Sequence, residues 1–187
     1  MSLELTVVRD VAALRALADE WTALAAPGGT GALFRGPDWL LPWWHAYHKI
    51  LDAELVAYVG RDEGQLVCLA PLYSRGARLG PGIKVREIRL LGDAGPRPPA
   101  LDILVKPGHE DRVGAALARA LVDSRETWDV IDLEPLQDPS RVRATLAARM
   151  SAAGFPAETK PAGGGARRVA LTADSDVSKI NAAAGGK

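Results

Sequence analysis

The run Glu54-Leu55-Val56-Ala57-Tyr58-Val59-Gly60, the turn Arg61-Asp62-Glu63-Gly64, and the run Gln65-Leu66-Val67-Cys68-Leu69-Ala70-Pro71-Leu72-Tyr73-Ser74-Arg75 decide the architecture. Both runs are largely apolar, the first with Val56, Tyr58 and Val59 and the second with Val67 and Tyr73, and a Gly-containing turn separates them. That is the pattern of a β-hairpin. Pro71 has no N–H to donate to a ladder, so it belongs at an edge, a bulge or a strand end. Residues 85–91 (Val-Arg-Glu-Ile-Arg-Leu-Leu) add a third strand, closed by Gly92, and make a meander.

Upstream, residues 3–8 alternate as a strand, and Asp10 offers an N-cap to a helix with Val11, Leu14, Leu17, Trp21 and Leu24 at helical spacing. Pro27-Gly28-Gly29 ends it. A second helix opens in Phe34-Arg35-Gly36-Pro37-Asp38, with Pro37 in the first turn, where its missing N–H is no loss. Trp39, Trp43, Tyr47 and Ile50 form its stripe, and Pro42 is placed to bend it.

Downstream, the loop Gly95–Pro99 leads to a short strand, residues 101–105. A helix over roughly 109–123 follows, with Val113, Ala116, Leu117, Ala120 and Leu121 on one face. Residues 128–133 read as a strand, 139–153 as a helix, and 155–160 and 166–172 as weaker strands. A meander followed by strand–helix alternation implies an α/β fold: a mixed, mostly antiparallel central sheet with helices on both faces. Residues 1–172 make one domain, and 173–187 a short tail that reads as disordered or truncated.

The 187 residues suffice for one core, with 48% hydrophobic and 25% charged residues. Lys plus Arg and Asp plus Glu both number 23. Zero net charge argues against a general electrostatic grip on nucleic acid or anionic lipid and leaves room for a local basic patch. The single cysteine, Cys68, cannot form an internal disulfide and lies in an apolar run, as a small buried hydrophobe does. The start lacks a signal-peptide pattern, and no apolar run reaches membrane-spanning length, so a cytoplasmic location is expected.

The element order, together with Phe34–Trp44, Ala70-Pro71-Leu72, Leu90-Leu91-Gly92, Asp102 and Trp128–Leu133, resembles the CelD-type, FemAB-like branch of the GNAT acyltransferase superfamily. That resemblance implies a GNAT-like sheet, acetyl-CoA or another acyl-CoA as co-substrate, no metal, and transfer to an amine. It implies a link to envelope polysaccharide synthesis. It also implies a tandem protein of two GNAT-like halves, of which this chain resembles the first. The partner expected is therefore a second half or another copy of the chain.

A GNAT domain holds the CoA pyrophosphate at a helix N-terminus, where unpaired N–H groups and the dipole meet the phosphates. The matching residues are Val105, Arg112, Val113, Gly114 and Ala115. Glu110 and Asp111 stand where that loop should be basic or glycine-rich, so the segment reads as a degenerate cradle. Arg75–Gly82 has glycines and cations, but a strand follows it rather than a helix.

Amine acylation needs a general base and a proton donor for the thiolate. Glu134 at a strand end and Asp102 in an apolar strand are the candidate bases, and Tyr73 is the candidate donor. His45 and His48 share a helix face without further ligands and read as surface residues. Two functions fit: an acyl-CoA-dependent N-acyltransferase, or a non-catalytic GNAT-like module that shapes an acceptor groove or docks a partner.

Overall fold

The computed structural model describes residues 3–95, 98, 101–134, 136 and 141–158. The predicted hairpin forms, and Pro71 cuts it in two. Its first strand becomes β2 (Ala53–Leu55) and β3 (Ala57–Asp62), broken at Val56. Its second becomes β4 (Gln65–Ala70) and β5 (Leu72–Leu79), broken at Pro71. Because Pro71 cannot donate, the ladder stops beside it. The backbone closes around the break, with Val56 N–H donating to Leu72 O at 3.0 Å and Leu91 N–H to Pro71 O at 2.8 Å.

The other side of this bent strand is filled by two segments. β6 (Ile83–Leu90) pairs antiparallel with β5 from Leu72↔Leu90 to Leu79↔Ile83. β7 (Leu104–Val105) pairs antiparallel with β4 at Leu69↔Leu104 and Cys68↔Val105. After β6 the chain leaves the sheet from Leu91 onward, at the level of Pro71. β1 (Glu4–Val8) borders β3 antiparallel, and β8 (Val130–Asp132) runs parallel to β6. The result is two four-stranded sheets, β1-β3-β4-β7 and β2-β5-β6-β8, joined by the two bent strands. The fold is the mixed, mostly antiparallel α/β arrangement that the pattern predicts.

Asp10 caps α1 (Val11–Arg15), accepting from Ala13 N–H at 3.0 Å. The single helix expected over residues 11–24 is divided at Ala16–Leu17, and α2 (Ala18–Ala25) continues it. A 3₁₀ segment leads into α3 (Ala32–Arg35). Gly36 then turns out of helical geometry before α4 (Pro37–Tyr47), with Pro37 at its first turn and Pro42 inside it. α5 (Glu110–Asp123) and α6 (Arg141–Ala152) pack against each other. Gly114 makes that contact close: a Cβ there would stand 2.8 Å from Thr145 Cβ.

Leu66–Ala70 of β4 are all buried, so both faces of that strand are covered, by α2 among others. Trp21, Leu14, Leu69, Leu72, Leu90 and Leu117 anchor one continuous core. Two buried indoles are satisfied by backbone, Trp21 donating to Arg35 O at 2.7 Å and Trp128 to Leu121 O at 2.9 Å, whereas the buried Trp39 Nε1 has no hydrogen-bond partner among the described residues. The expected strand at 155–160 does not form over Phe155–Glu158, which are irregular. The expected strand at 166–172 and the tail lie outside the described residues.

Candidate active site

The segment that leaves β6 at Leu91 carries Asp93, one of two buried charged side chains among the described residues; the other, Arg35 of α3, stands by Asp102 ahead of β7. The base of that segment is fixed by Gly92, whose φ of 95° is open to glycine and strained for other residues. A Cβ there would meet Leu101 Cδ2 at 2.8 Å and Leu40 Cδ2 at 2.9 Å. Trp43 of α4 donates its indole N–H to Ala94 O at 2.8 Å and pins the segment from above. Trp43 in turn stacks on Tyr47 and leans on Tyr73.

Asp93, next to Gly92, is 4% exposed. It accepts from Tyr73 Oη at 2.7 Å and from Arg89 Nε. Arg89 also donates from Nη1 to Asp132 Oδ2 of β8 at 2.6 Å. Glu87 lies 3.6 Å from Arg89 and 3.0 Å from Arg75 Nη2. Strands β5, β6 and β8 and this segment are thus tied by one chain of charge-assisted bonds, the strong kind in a poorly solvated site.

Asp102 lies ahead of β7. Its side chain is 15% exposed, and Arg35 of α3 stands 3.7 Å away. Burial pushes its carboxyl up to about 6, against the lowering pull of the Ile103 N–H bond and of Arg35 and Arg143. The backbone bond, Ile103 N–H to Asp102 Oδ1, is 2.9 Å. A carboxylate held near neutrality by desolvation has the proton affinity a general base for an amine requires.

The structure separates the three residues the sequence puts forward for chemistry. Tyr73 is fully buried, and burial followed by its bond to Asp93 drives its hydroxyl well above the usual range. Glu134 is exposed, and its N–H donates to Asp132 Oδ1 at 3.1 Å. Only Asp102 combines partial access with a displaced pKa.

At the start of α5, Val105 is half-buried in β7, Val113 is fully buried, and Ala115 is half-buried. Gly114 faces α6. Arg112 Nη1 donates to Asp62 Oδ2 at 2.9 Å, and His109 Nε2 lies 3.4 Å from the same oxygen. The Arg112 bond, foremost, holds the Asp62 carboxyl below its ordinary value. Asp111 accepts from Thr145 Oγ1 at 2.9 Å and so ties α5 to α6. Three carboxylates, from Asp62, Glu110 and Asp111, therefore surround this helix start. Among the described residues, no group of three or more His, Cys, Asp or Glu side chains could hold a metal ion. Within the same residues no helix is long and apolar enough to cross a membrane.

Arg89, Asp93 and Asp132 were not singled out by sequence reasoning. The signal for them is the charge-rich strand Lys84-Val85-Arg86-Glu87-Ile88-Arg89, which runs into Leu-Leu-Gly-Asp.

No protein-family model and no curated protein matches the chain. Among solved structures it is similar to a ribosomal-protein-alanine N-acetyltransferase from Brucella melitensis biovar Abortus 2308, at 21% identity and a TM-score of 0.48, over 90% of this chain and 100% of that one. It is similar to an aminoglycoside acetyltransferase from an uncultured soil metagenomic sample at 18% identity and a TM-score of 0.48, over 95% and 99% of the two chains. A GCN5-related N-acetyltransferase from Ralstonia eutropha aligns at 17% identity and a TM-score of 0.44, over 90% and 99%.

Proposed function

We propose that the chain is a GNAT-type domain that takes part in acyl-CoA-dependent N-acyl transfer, with Asp102 as the general base. The observation that carries this reading is the Asp102 carboxyl, partly accessible ahead of β7 and raised to about 6 by desolvation. The acceptor amine attacks the thioester carbonyl. Asp102 takes the amine proton as the C–N bond forms, the C–S bond breaks, and the CoA thiolate leaves and is protonated by solvent. The resemblance to the CelD-type branch supports an amino group of an envelope polysaccharide precursor as the acceptor class. It also supports a second GNAT-like half, or another copy of the chain, as the partner.

The test is release of CoA thiol from acetyl-CoA with a panel of amino sugars and amines. Amine-dependent release is expected, with kcat/KM rising as the pH increases through about 6, where Asp102 loses its proton. Asp102→Asn should lower turnover about 10²–10⁴-fold while leaving acetyl-CoA binding in place. Full turnover by the variant would remove Asp102 from the mechanism.

One observation favours a second reading, a non-catalytic module for acceptor binding or docking. The carboxylates of Asp62, Glu110 and Asp111 at the start of α5 repel a pyrophosphate. Binding of an acceptor sugar without any binding of acetyl-CoA would select it.

A further inference from the structure

The β5–β6 hairpin ends in Leu79-Gly80-Pro81-Gly82-Ile83, and nothing in the preceding reading uses it. Leu79 and Ile83 face each other across the hairpin and are 53% and 60% exposed. They are large apolar side chains side by side at a protruding tip. Gly80 and Gly82 carry positive φ values of 64° and 89°, and a Cβ on either would meet nothing within 4 Å, so the tip stands clear of the rest of the molecule.

One residue behind the apolar pair, Arg78 and Lys84 are also directly opposite each other, and both are exposed. Like charges in that cross-strand position repel. Among the described residues neither has a carboxylate within ion-pair distance. Two pairs further back, beyond Ala77 and Val85, Arg86 opposes Gly76. Its guanidinium is already engaged, with Nε 3.5 Å from Asp129 Oδ2, an oxygen that also accepts from the Arg86 backbone N–H at 2.7 Å. An open concavity of about 630 Å³ lies over Gly76, bordered by Arg78, Lys84, Arg86 and Asp129.

We propose that this hairpin tip is a docking element for an anionic lipid surface, with Leu79 and Ile83 entering the acyl boundary and Arg78 and Lys84 meeting headgroup phosphates. The order of chemistry along the hairpin matches a bilayer interface. Apolar side chains lead, and two cations without an ion pair among the described residues follow about 3.4 Å behind, within the roughly 5–10 Å depth of the headgroup boundary. Two side chains on a free tip offer too little apolar area for a stable protein interface, which needs about 800 Å² per partner. The zero net charge of the chain makes the cationic pair a local device.

The test is co-sedimentation of the full chain with vesicles of phosphatidylglycerol and phosphatidylcholine in equal parts, against phosphatidylcholine alone. Binding is expected on the anionic vesicles only, and it should fall steeply as salt rises to ~0.5 M. Arg78→Gln and Lys84→Gln should each weaken it about fivefold. The double change Leu79→Ser/Ile83→Ser should weaken it at least about tenfold. These positions are exposed, and an unchanged circular-dichroism melt confirms that each variant is folded. Equal binding to both vesicle types, wild-type binding by the tip variants, or no vesicle binding would each overturn the proposal. Displacement by ~10 mM inorganic phosphate would also overturn it, by marking a free-anion site instead. The outcome is independent of acetyl-CoA binding, so the two readings fail separately.

Discussion

Asp102→Asn should make the protein more stable at high pH and leave it unchanged at low pH. In the folded chain the Asp102 carboxyl is raised from its ordinary 3.8 to about 6, chiefly by burial. The folded state therefore holds the Asp102 proton more tightly than the unfolded chain does. Below pH 3.8 the protonated side chain carries no electrostatic penalty. Between that value and about 6 the unfolded state loses its proton first, and native stability declines as the pH rises. Above 6 the penalty is complete, about 3 kcal/mol at 1.36 kcal/mol per pH unit. An asparagine is neutral throughout, and its amide oxygen still accepts from Ile103 N–H. The attraction of Arg35, 3.7 Å away, is already contained in that net shift. The expected net effect is about 3 kcal/mol of added stability at pH 8, shrinking toward zero near pH 4. Urea unfolding of both proteins across this range reads it directly. A variant equally destabilised at both ends would refute the desolvated carboxylate and with it the case for Asp102 as a base. A residue that weakens the fold while improving the chemistry is expected at a working site.

Asp93→Asn should cost about 3–5 kcal/mol in urea unfolding, because it leaves the Arg89 guanidinium short of a buried partner, whereas Tyr73→Phe should cost only about 1–2 kcal/mol. Gly92→Ala should destabilise by about 2–3 kcal/mol, since the Cβ is driven into Leu101 and Leu40 from a backbone that disfavours it; calorimetric melting checks this. Cys68 is fully buried and its thiol is pushed up to about 12, so it should stay unreactive toward a disulfide reagent until denaturant is added. Rapid labelling of the native chain would contradict that burial, whereas a silent Cys68 leaves released CoA as the thiol a coupled assay reads.

The hairpin, the meander, α5 and the Asp10 cap were legible because each rests on local chemistry: period-two alternation, a turn with glycine, an apolar stripe, a side-chain oxygen. The breaks at Val56 and Pro71 were half legible. Pro71 announces a missing donor, but only tertiary pairing shows that β6 and β7 share one strand's edge. The break at Ala16–Leu17 carries no sequence signal, since apolar spacing runs straight through it. For the site, Asp102 was visible as a carboxylate in an apolar stretch. Tyr73 was visible as a residue, but its role was not, because its partner Asp93 is 20 residues away and meets it only through the fold. The Arg89–Asp132 bond spans 43 residues and needs the parallel β6–β8 pairing to exist. At the start of α5, Gly114 meets Thr145 of α6, a contact no spacing rule could anticipate.

Isothermal titration of the purified chain with acetyl-CoA bears most directly on the acyl-transfer reading. The account predicts saturable binding with Kd between about 1 μM and 1 mM, the range in which enzymes hold their substrates. It also predicts that Glu110→Gln tightens binding by removing a charge from the helix start. A folded sample that gives no heat at millimolar acetyl-CoA would contradict the account and leave the non-catalytic module in its place.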